Sequence, residues 1–145
     1  MAEGLFKRFL EVREEAENWR VESAGVWAWD GNPASLGAIN ALEHRRINIS
    51  KHRSRSCSSL HMTDYDLSLT MERDHKEALR AEYPALKGRI HLLTEMCGMN
   101  YDISDPIGRA PADYEDTAME LERLLVNGFG QIRQMVSGEG TGNNQ

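Results

Sequence analysis

The side chains of this sequence that could take part in chemistry are two cysteines, five histidines and an Asp-Pro pair. Cys57 and Cys97 lie forty residues apart with no second cysteine near either of them, a spacing that favours free thiols over a disulfide framework. The histidines show none of the spacings, such as His-Glu-x-x-His, that predict a metal site. Taken alone, Asp105-Pro106 predicts a turn. We therefore expect no bound metal, and these residues by themselves leave the reaction open.

The composition is typical of a globular protein: 145 residues, 40% hydrophobic and 28% charged, enough for one domain with its own core. The net charge of −6 argues against a nucleic-acid partner, because surfaces that bind phosphate backbones are usually basic. No apolar run approaches the ~20 residues that cross a bilayer, so we expect no membrane association. Free thiols and the lack of an apolar leader predict a cytoplasmic protein. The basic stretch at 44–55 is expected to be solvated surface, although an anionic substrate would also suit it.

Strand and helix patterns alternate along the chain. Met1, Leu5, Phe9, Val12 and Ala16 recur at helical spacing and predict one face of a first helix. The elements predicted next are a strand at 19–24 ended by Gly25, a helix at 36–45 capped by Ser35, a strand at 65–71, a helix at 72–83 stopped by Pro84, and a strand at 89–93. This order predicts an α/β fold with a mainly parallel sheet.

A long helix is predicted at 111–136. Its apolar stripe alternates spacings of four and three, and consists of Tyr114, Ala118, Leu121, Leu125, Gly128, Ile132 and Met135. Gly128 and Gly130 each cost roughly 1 kcal/mol relative to alanine, so fraying is expected there. The predicted domain covers 1–136, and the glycine-rich residues 137–145 are predicted to be a disordered tail.

Several blocks of the sequence, in order, carry a resemblance to a known family: MAEGLFK at the start, then VESAG, NPAS, ISKHRSR, DLSLTMERDHKEAL, IHLL and SDPIG. They resemble the low molecular weight protein tyrosine phosphatases from Met1 to about Leu125. The resemblance implies a doubly wound parallel sheet with helices on both faces. It also implies a first, interior strand and a phosphate-binding loop ahead of the first helix, and both are missing from this sequence.

The resemblance implies hydrolysis of phosphorylated proteins without a metal or organic cofactor. In the family, a Cys-x-x-x-x-x-Arg loop cradles the phosphate with its N–H groups and supplies a thiolate that attacks phosphorus. A carboxylic acid then protonates the departing oxygen and activates water. Asp105 is the expected acid, because it alone among the local acidic residues precedes proline; Asp102 is the weaker candidate. Thr63 and Ile103 stand where an arginine would have to follow Cys57 and Cys97, so neither cysteine fits the loop.

The same resemblance assigns a substrate pocket. Trp27 and Trp29 follow Ser23-Ala24-Gly25 in a loop that forms a pocket wall in the family, although they would also suit ordinary loop anchoring. Ile107 stands where the family usually has an aromatic residue, which weakens the case for stacking on phosphotyrosine. Some bacterial relatives act on phosphoarginine, and the choice between the two substrates stays open. His52 and His75 match family positions and are expected to form structural hydrogen bonds.

The leading hypothesis is a phosphatase whose start has been placed at an internal methionine. We expect the chain as given to be inactive alone, and to be unstable or to self-associate through an exposed sheet edge. The alternative is a non-catalytic binding or regulatory module that pairs with a partner. A third interpretation, an unrelated α/β enzyme, has little support because no second nucleophile or phosphate loop is found in the sequence.

Overall fold

The computed structural model describes residues 1–138, which form two compact units. The first unit contains Met1–Leu60 and Asp105–Arg123, and the second contains His61–Ser104 and the chain from Leu124 onward. The α-helices are α1 (Ala2–Val12), α2 (Leu36–Glu43), α3 (Arg73–Glu82) and α4 (Pro111–Ser137), and the strands are β1 (Ser68–Thr70) and β2 (Ile90–Leu92). Short 3-10 turns connect them at Ala16–Asn18, Cys57–Ser59, Met62–Asp64, Pro84–Arg89 and Thr94–Cys97.

The second unit contains a parallel β-α-β arrangement. β1 and β2 pair in parallel with Leu69 opposite His91, and α3 is the connection between them. Arg80 on α3 donates from Nε and Nη2 to the carbonyl of Ile90, which fixes the helix to the start of β2. The predicted α/β pattern is therefore confirmed here, with each strand shorter than predicted.

The predicted strand at 19–24 is wrong. A strand needs a ladder of hydrogen bonds to a neighbour, and among the described residues this stretch forms none. Pairing begins only at Gly25, through an isolated parallel bridge to Ser56. The sequence pattern of residues 19–24 did not determine whether a neighbouring strand would pair with them.

The predicted apolar face of α1 is correct in its first half. Leu5 is buried, but Val12 is 75% exposed, and Leu10, which the pattern left out, is buried. α1 stops at Val12 and Glu14 takes a left-handed φ of 58°, so the helical spacing does not continue to Ala16. Ala16 belongs to a separate 3-10 turn and is exposed.

α2 and the first part of α4 form the core of the first unit. Ser35 caps α2 as predicted, accepting from the Ala38 N–H at 3.3 Å, and the helix ends at Glu43, two residues earlier than expected. Gly37 allows the ring of Tyr114 on α4 to approach closely: a Cβ at this position would lie 2.4 Å from a ring carbon. These contacts position α2. The hydrogen bond from the Ala38 N–H to Ser35 confirms the predicted N-cap.

An arginine network links the end of α2 to α4. Arg45 donates to Glu115 Oε2 at 2.7 Å, to Glu122 Oε1 at 2.9 Å and to the Ala41 carbonyl at 2.8 Å. His44 lies 2.6 Å from the other oxygen of Glu115. This part of the basic stretch therefore pairs with carboxylates within its own unit.

α4 is one continuous helix through both glycines that were predicted to fray it. Gly128 is buried, and a Cβ there would lie 2.9 Å from the Cβ of Met96, whereas nothing lies within 4 Å of a Cβ at Gly130. The predicted stripe is confirmed at its buried members, which are Tyr114, Ala118, Leu121, Leu125, Gly128 and Ile132. Of the predicted disordered tail, Ser137 belongs to α4, Gly138 follows it with φ of +73°, and residues 139–145 lie outside the described residues.

Candidate active site around Asp105

Asp105 begins a tight turn in the first unit. Its Oδ1 accepts from the N–H of Ile107 at 3.0 Å, and the Arg109 N–H donates to the Pro106 carbonyl at 2.9 Å. Gly108 has φ of +76°, a conformation that favours glycine because a Cβ would be strained there. Pro106 is buried while Asp105 is exposed, so the turn is anchored at its proline and presents the carboxylate to solvent.

Asp102, the weaker candidate for the acid, has a different role in the second unit. Its Oδ1 accepts from the Arg73 N–H at 2.9 Å and lies 3.7 Å from the Arg73 Nε. The first N–H groups of a helix lack partners within the helix, and a carboxylate there is favoured by the helix dipole. Asp102 therefore stabilises the start of α3, which leaves Asp105 as the better candidate for proton transfer.

The charge of Asp105 acts at the beginning of α1. Burial lowers the pKa of the Met1 amino group, and the negative charges of Glu3 and Asp105 oppose that shift. Burial has the larger effect, so the net shift of this pKa is downward.

A cluster around Glu3 holds α1 to the segment that leads into the tryptophan loop. Glu3 accepts from Lys7 and from the Ser23 hydroxyl, and the His52 ring lies 3.8 Å from its Oε2. Burial would raise the pKa of Glu3, but these hydrogen bonds and the charges of Lys7 and His52 outweigh burial and lower it. The His52 ring is too far from Glu3 for a hydrogen bond, so its expected structural hydrogen bond stays a prediction. His75 lies in the other unit, on α3.

Trp27 and Trp29 are both exposed, at 69% and 82%. Their loop, residues 25–33, starts with the bridge from Gly25 to Ser56 and ends with an antiparallel bridge from Pro33 to Arg53. Ile107, at 68%, is a third exposed apolar side chain in the same unit. All four predicted site residues thus lie in the first unit and are exposed, and their role in a site stays a prediction.

Asp30 connects the middle of this loop to the 56–59 segment. Its Oδ1 accepts from the Ser56 N–H at 2.7 Å and its Oδ2 accepts from the Ser59 hydroxyl at 2.8 Å. The hydrogen bond from the Ser56 N–H, followed by that from Ser59, lowers the pKa of Asp30. Sequence reasoning missed this residue: Asp30-Gly31 is a recognisable turn signal, but the partners lie more than twenty residues away.

Among residues 1–138, no group of three or more histidine, cysteine or acidic side chains is arranged to hold a metal ion. The same residues include no helix that is long and apolar enough to cross a membrane. Cys57 is buried, and Cys97 donates from Sγ to the Leu124 carbonyl at 3.3 Å. The two thiols therefore occupy packing positions in separate units.

The chain is similar to known proteins of one family. A family profile described as low molecular weight phosphotyrosine protein phosphatase matches residues 1–137. The chain is 34% identical over 126 residues to a protein-arginine-phosphatase of Bacillus subtilis (strain 168), which covers 86% of this chain and 82% of that relative. It is 31% identical over 104 residues to the low molecular weight protein-tyrosine-phosphatase Wzb of Escherichia coli (strain K12), covering 72% of this chain and 70% of that relative.

A solved structure supports the same relationship. The low molecular weight protein tyrosine phosphatase from T. tengcongensis matches with a TM-score of 0.83 and 34% identity, over 90% of this chain and 88% of that one. The predicted family resemblance and the predicted fold class are thereby confirmed. The chain belongs to the low molecular weight phosphotyrosine protein phosphatase family.

Proposed function

We propose that Asp105 is the general acid and base of a protein phosphatase that acts on phosphotyrosine or phosphoarginine through a phosphocysteine intermediate. The observation that carries the proposal is the Asp105-Pro106 turn, in which one carboxylate oxygen is fixed by the Ile107 N–H and the side chain is exposed. Asp102 is engaged at the start of α3, so it does not compete for this role.

The reaction proceeds in two steps. A cysteine thiolate attacks phosphorus while protonated Asp105 gives its proton to the departing oxygen or nitrogen atom. The Asp105 carboxylate then takes a proton from water as that water attacks the phosphocysteine and releases the thiolate. The thiolate and the phosphate-binding arginine come from a Cys-x-x-x-x-x-Arg loop, a pattern that Cys57 and Cys97 do not form. We propose that residues 1–145 by themselves give no turnover by this route.

Trp27, Trp29 and Ile107 are proposed to contact the group that carries the phosphate. Trp27 and Trp29 offer exposed ring surface, on which either a phenol ring or a guanidinium plane can stack. Ile107 offers apolar contact without a ring, so stacking depends on the tryptophans. The substrate is a phosphorylated protein, and free thiols suit work in the reducing cytoplasm.

A comparison of two proteins tests the proposal: the 145-residue chain, and the same chain preceded by a strand and a Cys-x-x-x-x-x-Arg loop. We expect the extended protein to hydrolyse phosphotyrosine and phosphoarginine peptides and the 145-residue chain to hydrolyse neither. Hydrolysis by the shorter chain that Asp105→Asn abolishes would contradict the assignment of the nucleophile. The ratio of kcat/KM for the two peptides would identify the preferred substrate.

A second candidate is a non-catalytic module, which the high exposure of Trp27 and Trp29 favours because exposed tryptophans suit a protein partner. On this hypothesis the 145-residue chain associates with itself or with a partner. Sedimentation velocity over a range of concentrations tests self-association. A monomer at every concentration would exclude self-association, and activity of the extended protein would favour the enzyme.

A further inference from the structure

The loop that carries Trp27 and Trp29 is fastened at both ends by its backbone. The Gly25 N–H donates to the Arg55 carbonyl at 2.8 Å, and the Cys57 N–H donates to the Gly25 carbonyl at 3.0 Å. At the other end, the Ser54 N–H donates to the Asn32 carbonyl at 2.8 Å. Between these points the Gly31 N–H also donates to the Ser54 carbonyl at 2.8 Å, and side chains supply the further support of the loop.

Two side chains supply that support. Asp30 uses both carboxylate oxygens, one for the Ser56 N–H and one for the Ser59 hydroxyl. Ser54 donates from Oγ to the Trp29 carbonyl and accepts from the Asn32 N–H at 3.0 Å. Trp29 is therefore held in two ways. Its carbonyl accepts a hydrogen bond from Ser54, and the next residue, Asp30, is itself hydrogen-bonded to Ser56 and Ser59.

Burial does not explain the order of this loop, because the tryptophan rings are largely exposed. An exposed side chain gains little from the hydrophobic effect, so polar bonds must offset the entropy of ordering the backbone. Charge-assisted hydrogen bonds are the stronger kind, and Asp30 makes two of them. The lowered pKa of Asp30 favours its ionised form, in which the carboxylate accepts both hydrogen bonds.

We propose that Asp30 is a positioning residue that holds the Trp27–Trp29 segment in the conformation that contacts the substrate. The inference rests on the proposed function, since it takes these tryptophans as part of the substrate pocket. A loop already ordered before binding spares the substrate the cost of ordering it, so Asp30 contributes to affinity for the group beyond the phosphate. Asp30 contacts neither phosphate nor nucleophile in this scheme, so the chemical step is left unchanged.

The first arm of the test measures loop order without activity. Amide hydrogen exchange is followed at Gly31 and Ser56 in Asp30→Ala and in Asp116→Ala, a control that removes the same charge from an exposed position on α4. We expect exchange at both amides to be at least tenfold faster in Asp30→Ala and unchanged in the control. Ser59→Ala, which removes one bond, should give a smaller increase and serves if Asp30→Ala does not fold. Unchanged exchange in both loop variants would overturn the proposal.

The second arm measures kinetics in the protein that carries the Cys-x-x-x-x-x-Arg loop. In Asp30→Ala, KM for a phosphorylated peptide should rise about three- to tenfold with kcat changed less than twofold, which is the pattern of lost uniform binding. Inhibition by inorganic phosphate should stay the same, because phosphate does not reach the tryptophans. Faster exchange with an unchanged KM would overturn the positioning role while leaving the chemistry of Asp105 intact. Failure of the unmodified protein to hydrolyse any substrate would instead overturn the proposed function, and this inference with it.

Discussion

The Oδ1 atom of Asp105 lies 3.0 Å from the backbone nitrogen of Ile107 and accepts its hydrogen bond. The aspartate is thus oriented by its own turn, two residues along the chain, and needs no second element to hold it. A carboxylate that is both exposed and fixed in direction suits proton transfer, because the correct geometry exists before a substrate arrives.

Asp105→Asn should lower kcat for a phosphotyrosine peptide by about 10²- to 10⁴-fold in the protein that carries the phosphate loop. Asparagine keeps an oxygen for the Ile107 N–H but has no proton to give to the leaving group. The loss should be smaller for an aryl phosphate with a very acidic phenol, since that leaving group needs no protonation. Steady-state kinetics with both substrates measures the difference.

Asp102→Asn is the matched control for that experiment. Like Asp105→Asn, it converts a carboxylate into an amide. We expect it to affect the start of α3, where Asp102 accepts a hydrogen bond, and to change kcat less than twofold. Asp102→Ala should lower the free energy of unfolding by about 1 kcal/mol, the usual effect of losing an acceptor at a helix start. Equal loss of kcat in Asp102→Asn and Asp105→Asn would contradict the assignment of the acid.

Gly128→Ala and Gly130→Ala should change stability in opposite directions, although the two residues lie in the same helix. A methyl at Gly128 would meet Met96 Cβ at 2.9 Å, so overpacking should destabilise the protein by about 1–3 kcal/mol. Gly130 has open space, so alanine there should stabilise it by about 0.5–1 kcal/mol through helix propensity. Chemical denaturation measures both, and a shift of the same sign in the two variants would show that packing against Met96 is not decisive.

Glu95 should make the second unit sensitive to acid. Burial would raise the pKa of Glu95, but hydrogen bonds from Lys76 and the Leu92 N–H, with the charges of Lys76 and His91, lower it. A carboxyl with a lowered folded pKa contributes stability above its unfolded value, about 4.3, and loses it as the pH falls through the folded pKa. Glu95→Gln should therefore reduce stability at pH 7 and flatten the loss of stability below about pH 4.3. Unfolding measured from pH 7 to pH 3 tests this, with the exposed Glu43→Gln as control.

Arg45→Lys should destabilise the first unit by about 1 kcal/mol even though the charge is kept. A lysine cannot reproduce the fork by which Arg45 reaches Glu115, Glu122 and the Ala41 carbonyl together. The exposed Arg109→Lys provides the control and should have little effect. In a double-mutant cycle, Arg45→Lys and Glu122→Gln should be less than additive, because they remove the same interaction. Full additivity would mean that the pair seen in the structure does not contribute.

The elements that periodicity predicted well are those whose cause is local. Ser35 caps α2 because its own side chain reaches an N–H three residues on, and Pro84 ends α3 within the next turn. The stripe on α4 is predictable because a helix determines its faces from spacing alone. Such features require no knowledge of the rest of the chain.

The predictions that were wrong or incomplete depend on distant residues. Residues 19–24 could form a strand only with a neighbour to pair with, and spacing cannot supply that neighbour. Gly128 was expected to weaken α4, whereas its missing side chain makes room for Met96. The family resemblance identified Asp105, but the supporting role of Asp30 became visible only when Ser56 and Ser59 were brought beside it.

In the tryptophan loop, the residues that support the backbone differ from those that form the exposed surface. Asp30 and Ser54 fasten it through polar atoms, while Trp27 and Trp29 provide its exposed surface. The hydrogen bonds made by Asp30 and Ser54 do not involve the rings, so other side chains at positions 27 and 29 would leave those bonds in place. We expect a change of substrate to begin with substitutions at positions 27 and 29. Among relatives, these two positions should vary more than Asp30 and Ser54, which support the loop.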